Sequence, residues 1–369
     1  MIPFLKWFLR KAARVLAWVF GAYALFLIIF ALSCMLSKSD VGPLPDDAQV
    51  PKAAPNVRNR PVEDAYYTYP EWYIVWSYQE RAAYLEKGSL PSDFPYFGSI
   101  YQYWRGYHRI CAITHSRHQF NFGDHLMLTV IGSSFALEYA IRGAYERTIG
   151  ALSEWISSHQ LVDEDTYAAR VAREYADFVY VRPFYEFHFA HALKGLWKET
   201  SFWGPHELRK LERKTILSVD YGLEAIYSEI LEKLSHMTYG VEPTETYAWV
   251  DSMPESLFAK YPHVQRVKSS GGRSYVVSIP RYQEFTRLAA RLAKDDVHFV
   301  QIAGNDVIVV SAIMRGWTYA TPEERVLFSE KFLTQPDSTR IVLECRVRDL
   351  HKVLNDLASR GTIEHVYDY

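Results

Sequence analysis

The chain has 369 residues, enough for two ordinary domains, and 49% of them are hydrophobic, so it can bury substantial cores. Lys and Arg total 41 against 43 Asp and Glu, a net charge of -2 that excludes the basic excess of a nucleic-acid-binding protein. Aromatic residues reach 15%, with 10 Trp and 27 Tyr. Trp and Tyr favour membrane boundaries and bulky interfaces, because one end is apolar and the other hydrogen-bonds.

Residues 15–36, from Val15 to Leu36, form a run of 22 with no charge. A helix of that length covers about 30 Å, the thickness of a bilayer's hydrocarbon core. It lacks the polar face of a soluble core helix and exceeds the roughly 7–15 apolar residues of a cleaved signal peptide. Ser33-Cys34-Met35-Leu36 is also a poor cleavage site, for a secretory or a lipoprotein signal. The run therefore predicts an uncleaved membrane anchor. Lys6, Arg10, Lys11 and Arg14 precede it, and only Lys38 follows it closely. The cationic side stays in the cytoplasm, which predicts a single-pass inner-membrane (cytoplasmic-membrane) protein, N-terminus in, with its body extracytoplasmic, or periplasmic in a Gram-negative source. Cys34 lies in the anchor; Cys111 and Cys345, the remaining candidate pair, fall in different predicted domains and are expected to be free buried thiols.

After the leader and anchor (1–37), the segment 38–65 carries Pro43, Pro45, Pro51, Pro55 and Pro61 and reads as a spacer lifting the body off the bilayer. Residues 66–240 read as a helical, aromatic-rich domain. Pro70 suits the first turn of a helix running to Tyr84, and a second helix is expected over 97–114. The strongest element is 123–157. Its apolar centre, from Leu126 to Ile141, is short for a span and contains Glu138, which argues for a buried core helix. Gly132, Ala136, Ala140 and Ala144 make a small-residue stripe that lets a neighbour approach closely. Asp163 resembles an N-cap, and Pro205 opens a long helix over 208–237, closed by Gly240. Its first turns carry Arg209, Lys210, Arg213 and Lys214, against the helix dipole, so these cations should meet acidic residues elsewhere or lipid head groups. Residues 241–272 read as an irregular linker. In 273–369 strands are expected at 274–279, 297–303, 306–313, 340–347 and 363–367, with a Gly304-Asn305 hairpin and helices from Pro280, over 322–333 and after Asp349. The order suggests a ferredoxin-like α+β sandwich with one extra unit, and no internal repeat is visible, so the fold class reads as α+β behind an N-terminal anchor and a mainly helical middle domain.

No phosphate loop, CxxC pair, HExxH or G-x-S-x-G is present. His115 and His118 are three apart, as are His188 and His191 with Glu186 nearby; on a helix that spacing suits a metal site, and it equally suits core or interfacial histidines. Glu138 is an acid in an apolar stretch, a candidate catalytic group beside Glu186, and Arg142 one turn on offers it a structural ion pair. Trp72, Tyr73, Trp76, Tyr101, Tyr103, Trp104 and the stretch 184–203 form an aromatic belt suited to lipid, an apolar ligand or a bundle core.

Thr68-Tyr-Pro-Glu-Trp-Tyr-Ile-Val75, Val130-Ile-Gly-Ser-Ser-Phe-Ala-Leu-Glu-Tyr139 leading to Gly143-Ala-Tyr-Glu146, and Lys194-Gly-Leu-Trp197 with Trp203-Gly-Pro205 resemble a group of bacterial single-pass membrane proteins with no assigned activity. The resemblance covers 66–240, implies an envelope location, and carries over no site residue or cofactor. The expectation is an accessory, scaffold or binding subunit that contacts lipid through Val15 to Leu36 and the aromatic helices, and a protein partner or second copy through its body. The alternative is a membrane-anchored enzyme or a lipid- or apolar-ligand-handling protein with a His/Glu site in the helical domain.

Overall fold

The computed structural model describes residues 2–42, 44, 61, 63–117, 121–238, 244–316 and 324–368. Helix α1, Ile2–Leu36, contains the one described segment long and apolar enough to cross a membrane, Ala17–Leu36. It does not stand apart from the body. Phe26 and Phe30 pack edge-on against Trp104 at 5.2 and 4.8 Å, and Ser33 Oγ lies 2.8 Å from His108 Nε2. Cys34 is disulfide-bonded to Cys111, and Cys345 is free and buried. The expected free thiol at Cys111 is thus corrected, because the end of α1 packs on the helix that carries it, whereas Cys345 is free and buried as expected. Of the expected spacer, 43, 45–60 and 62 lie outside the described residues; at its start Arg117 Nη2 holds the carbonyls of Val41 and Gly42 at 2.7 and 2.8 Å.

The helical region comprises α2 (Asp64–Glu86), α3 (Tyr96–His115), α4 (Phe122–Tyr145), α5 (Ala151–Ile156), α6 (Asp163–Phe178), α7 (Phe189–Glu199) and α8 (Glu207–Thr238). Pro70 sits inside α2 rather than in its first turn. Tyr66, Tyr67 and Tyr69 are buried, and packing of that apolar face extends the helix past what local propensity favours. Asp163 is the first helical residue and not the cap; the Asp165 carboxylate accepts the Val162 N–H at 3.2 Å in that role. The Gly240 helix stop lies outside the described residues.

The C-terminal region is mixed α/β: β1 (Glu245–Asp251), α9 (Ser256–Lys260), β2 (Gln265–Gly271), β3 (Ser274–Pro280), α10 (Tyr282–Lys294), β4 (His298–Ile302), β5 (Val307–Arg315), β6 (Arg325–Lys331), β7 (Ser338–Arg346), α11 (Leu350–Arg360) and β8 (Gly361–Val366). The strands form two antiparallel four-stranded sheets, ordered β2-β3-β1-β4 and β6-β7-β5-β8. Both orders are one connectivity used twice, a repeat that no sequence similarity announces. Three expectations are corrected here. The stretch 241–272 is not irregular, since β1 and β2 lie within it; Pro254 and Pro262 punctuate the elements rather than dissolve them. Residues 325–331 of the expected helix over 322–333 are strand β6, held in the sheet by pairing with β7 while Phe328 packs on Tyr69 at 5.0 Å. At Gly304-Asn305 the turn forms, with Ile302 and Asn305 exchanging both backbone bonds, but β4 and β5 then part into different sheets.

Helices and sheets share one apolar core. Trp72 lies over His365 with ring centroids 3.9 Å apart, and the Arg340 guanidinium sits 4.4 Å from the Trp76 ring while binding Glu364 at 2.6 and 2.8 Å.

Candidate functional site

Helices α4 and α8 run antiparallel, as their contacts show: Ser134 meets Tyr227, Arg142 meets Asp220, and Glu146 meets Arg213. Two charged clusters lie along this seam. The first uses the basic start of α8. Arg209, Lys210, Arg213 and Lys214 fall at i, i+1, i+4 and i+5, one helical face, and all four are buried. Residues Glu146–Gly150 make a π-helical turn between α4 and α5. It carries Glu146 to 2.8 Å from Arg213, over Gly150, where a Cβ would stand 2.6 Å from the Glu146 carboxylate. Arg213 also reaches Asp165 at 2.8 Å, and Arg209 binds Glu154, Asp165 and Glu212 at 3.2, 3.0 and 3.0 Å. Lys210 pairs with Asp163 at 2.9 Å, and Lys210 and Lys214 both lie 3.4 Å from Glu164. The acidic first turn of α6 thus takes the cations at the start of α8, which offsets their unfavourable place on the α8 dipole. Of the two fates expected for these cations, burial against acids is the one found. Such a network is costly to break, because each partner removed leaves a buried charge unpaired.

The second cluster lies further along the seam. Tyr78 OH donates to Glu138 at 2.6 Å, and Arg142 donates to the same carboxylate at 2.7 Å and to both oxygens of Asp220 at 2.9 and 2.8 Å. Glu224, one turn beyond Asp220, has no hydrogen-bond or ion-pair partner among the described residues. Burial first, then repulsion from Glu138, pushes its carboxyl up to about 8, while Arg142 acts in the opposite direction. The cluster therefore closes Glu138 and Asp220 on Arg142 beside Glu224, whose carboxyl holds its proton more readily than a free one. It can donate one hydrogen bond, accept several, or exchange a proton with a bound group.

The expected ion pair of Glu138 with Arg142 is present, and Glu138 gains Tyr78 and, through Arg142, Asp220. The histidines are placed differently. His115 is exposed at the end of α3, and His118 lies outside the described residues. His188 precedes α7 rather than sharing its face with His191; both are exposed, with ring centroids 5.5 Å apart, and Glu186 is exposed beside them. Among the described residues no group of three or more His, Cys, Asp or Glu side chains is placed to hold a metal. His125 binds Tyr107 OH through Nδ1 at 2.9 Å, and burial lowers its pKa. The aromatic belt divides: Trp72, Tyr73, Trp76, Tyr103 and Trp104 are core, whereas Tyr101, Trp197 and Trp203 are exposed. Sequence reading missed Asp220 and Glu224. Their signal was the one used for Glu138, acids one turn apart in an otherwise apolar stretch, obscured by the ordinary amphipathic look of α8. Comparison with known proteins assigns no relative: no family model matches the sequence, and neither a curated protein nor a solved structure matches the chain.

Proposed function

We propose that this is a membrane-anchored binding protein for an amphipathic ligand, with the Glu138–Arg142–Asp220–Glu224 cluster receiving the ligand's polar group. The observation that carries the reading is Glu224: an acid with no hydrogen-bond or ion-pair partner among the described residues, beside two carboxylates that share one guanidinium, on helices that expose Val130, Leu137, Ile141, Val219, Leu223 and Ile226. Three acids, Glu138, Asp220 and Glu224, against the guanidinia of Arg142 and Arg81 favour a ligand bearing an ammonium or another hydrogen-bond donor. Native mass spectrometry of the full chain in mild detergent, with added phosphatidylethanolamine or phosphatidylglycerol, tests it. A retained phosphatidylethanolamine adduct that is lost in Glu224→Gln/Asp220→Asn supports the reading. Equal retention of both lipids, unchanged in the variant, rejects it.

The same reading places the N-terminus in the cytoplasm and the body outside. Two features support that orientation: the basic leader, and the Cys34–Cys111 disulfide, since such bonds persist in oxidising compartments. It also takes each sheet, with its shared 2-3-1-4 strand order, as a ferredoxin-like unit. An accessory-subunit role draws support from β2, an edge strand exposed at all seven residues, which offers its free side to a partner strand. A soluble-partner pull-down that survives in an Arg266→Pro edge variant would remove that support.

A further inference from the structure

We infer that the outer faces of α4 and α8 are lipid-contacting surfaces, so that these two helices sit beside the protein's own anchor within the bilayer rather than above it. The first observation is exposure. Val130, Leu137 and Ile141 on α4 and Val219, Leu223 and Ile226 on α8 are each about half exposed or more, on two helices that run side by side. The one charged residue of 126–141 is Glu138, and it turns inward onto Tyr78 and Arg142, which leaves the outer face of α4 without charge. Contiguous apolar faces of this extent are uncommon on protein surfaces bathed only by water.

The second observation is depth. Phe26 and Phe30 lie ten and six residues before Leu36, about 15 and 9 Å along the helix, well inside a hydrocarbon layer of roughly 30 Å. Both rings pack on Trp104. Its neighbour Tyr103 donates to the Leu128 carbonyl at 2.7 Å and lies against Gly132, which brings α4 to the same level. Disulfide-bonded Cys34 and Cys111 lock this register. A bilayer that accommodates Ala17–Leu36 therefore reaches the helices packed on the middle of that segment, and α4 in turn holds α8. The occupant of the face is accordingly the lipid that already surrounds α1. The inference needs no bound ligand and goes beyond the reading given above.

The test uses the full chain in phosphatidylcholine/phosphatidylglycerol vesicles, labelled with an environment-sensitive fluorophore at Val130→Cys, Val219→Cys or, as control, the exposed Lys87→Cys. These are surface positions, so folding is preserved, and native Cys345 is buried and unreactive. Nitroxide-bearing lipids are expected to quench positions 130 and 219 several-fold more than position 87, with blue-shifted emission. The Glu224→Gln/Asp220→Asn variant should keep that quenching, which separates this surface from the ligand reading. Quenching at 130 and 219 no greater than at 87 overturns the inference. So does disulfide cross-linking between copies at position 219 with lipid quenching lost, which would show a second copy covering the face.

Discussion

Gly132 offers a test of how closely α3 and α4 approach. A Cβ placed there would stand 2.1 Å from Tyr103 Cε1 and 2.5 Å from its Cζ, and Tyr103 is buried with its hydroxyl bonded to the Leu128 carbonyl at 2.7 Å. Gly132→Ala gains up to about 1 kcal/mol of helix propensity. Against this, overpacking a filled core costs about 1–3 kcal/mol, and displacing the Tyr103 hydrogen bond costs about 1 kcal/mol more. The net expectation is a destabilisation of about 1–3 kcal/mol, seen as a Tm lower by several degrees. Gly222, also inside a helix, has nothing within 4 Å of its Cβ position. The same substitution there should stabilise by up to about 1 kcal/mol. Thermal unfolding followed by intrinsic fluorescence, in one detergent at one scan rate, compares the two. Opposite signs are required. A Gly132→Ala protein as stable as the parent would mean that Tyr103 is free to move and that the small-residue stripe is not a packing constraint.

Three further outcomes follow from the charged groups and the thiols. Arg213→Met strands Glu146 in the interior and leaves Asp165 with Arg209, and should cost about 3–5 kcal/mol, whereas exposed Lys87→Met should stay within about 0.5 kcal/mol; thermal melts of equal midpoint would contradict the keystone role of Arg213. Denatured but unreduced protein should accept polyethylene-glycol maleimide at Cys345 alone, and at all three cysteines after reduction; a threefold gel shift without reductant would disprove the Cys34–Cys111 bond. Glu224, raised from 4.5 to about 8 in the folded chain, binds more protons folded than unfolded between those values. Its contribution to stability is full below about pH 4.5 and is lost as pH rises through about 8. The stability difference between Glu224→Gln and the parent should therefore shift in the variant's favour across that window, and a pH-independent difference would show that Glu224 titrates normally.

The apolar helix Ala17–Leu36, long enough to cross a membrane, was legible in sequence because composition alone marks it: an uncharged run of sufficient length suffices, and no neighbour has to be known. Helices α3, α6 and α10 were legible for a related reason, since their apolar periodicity is written within a few turns. Elements failed where partners at long range decided. Residues 325–331 carry a pattern that suits a helix or a strand, and β7 selects the strand. Pro70 reads as a start signal, yet burial of Tyr66 and Tyr69 against the sheets carries α2 a further turn and more toward the N-terminus. Cys34 was set aside as an anchor residue, because nothing local reveals that α3 lies alongside α1.

The charged residues mark the boundary most clearly. Residue order alone showed a basic face at the start of α8 that opposed its own dipole, and hence that something acidic or anionic must meet it. It could not name Glu146, Glu154 or the first turn of α6 as that something, for these come from three other segments and meet α8 only when the bundle closes. Asp220 and Glu224 likewise become a site with Glu138 only once α4 and α8 lie antiparallel. Hydropathy, caps and periodicity act over a few residues and can be read along the chain. Charge pairing, disulfide choice and the division of strands between two sheets are set by distances between segments far apart in sequence, and those distances exist only in the folded molecule.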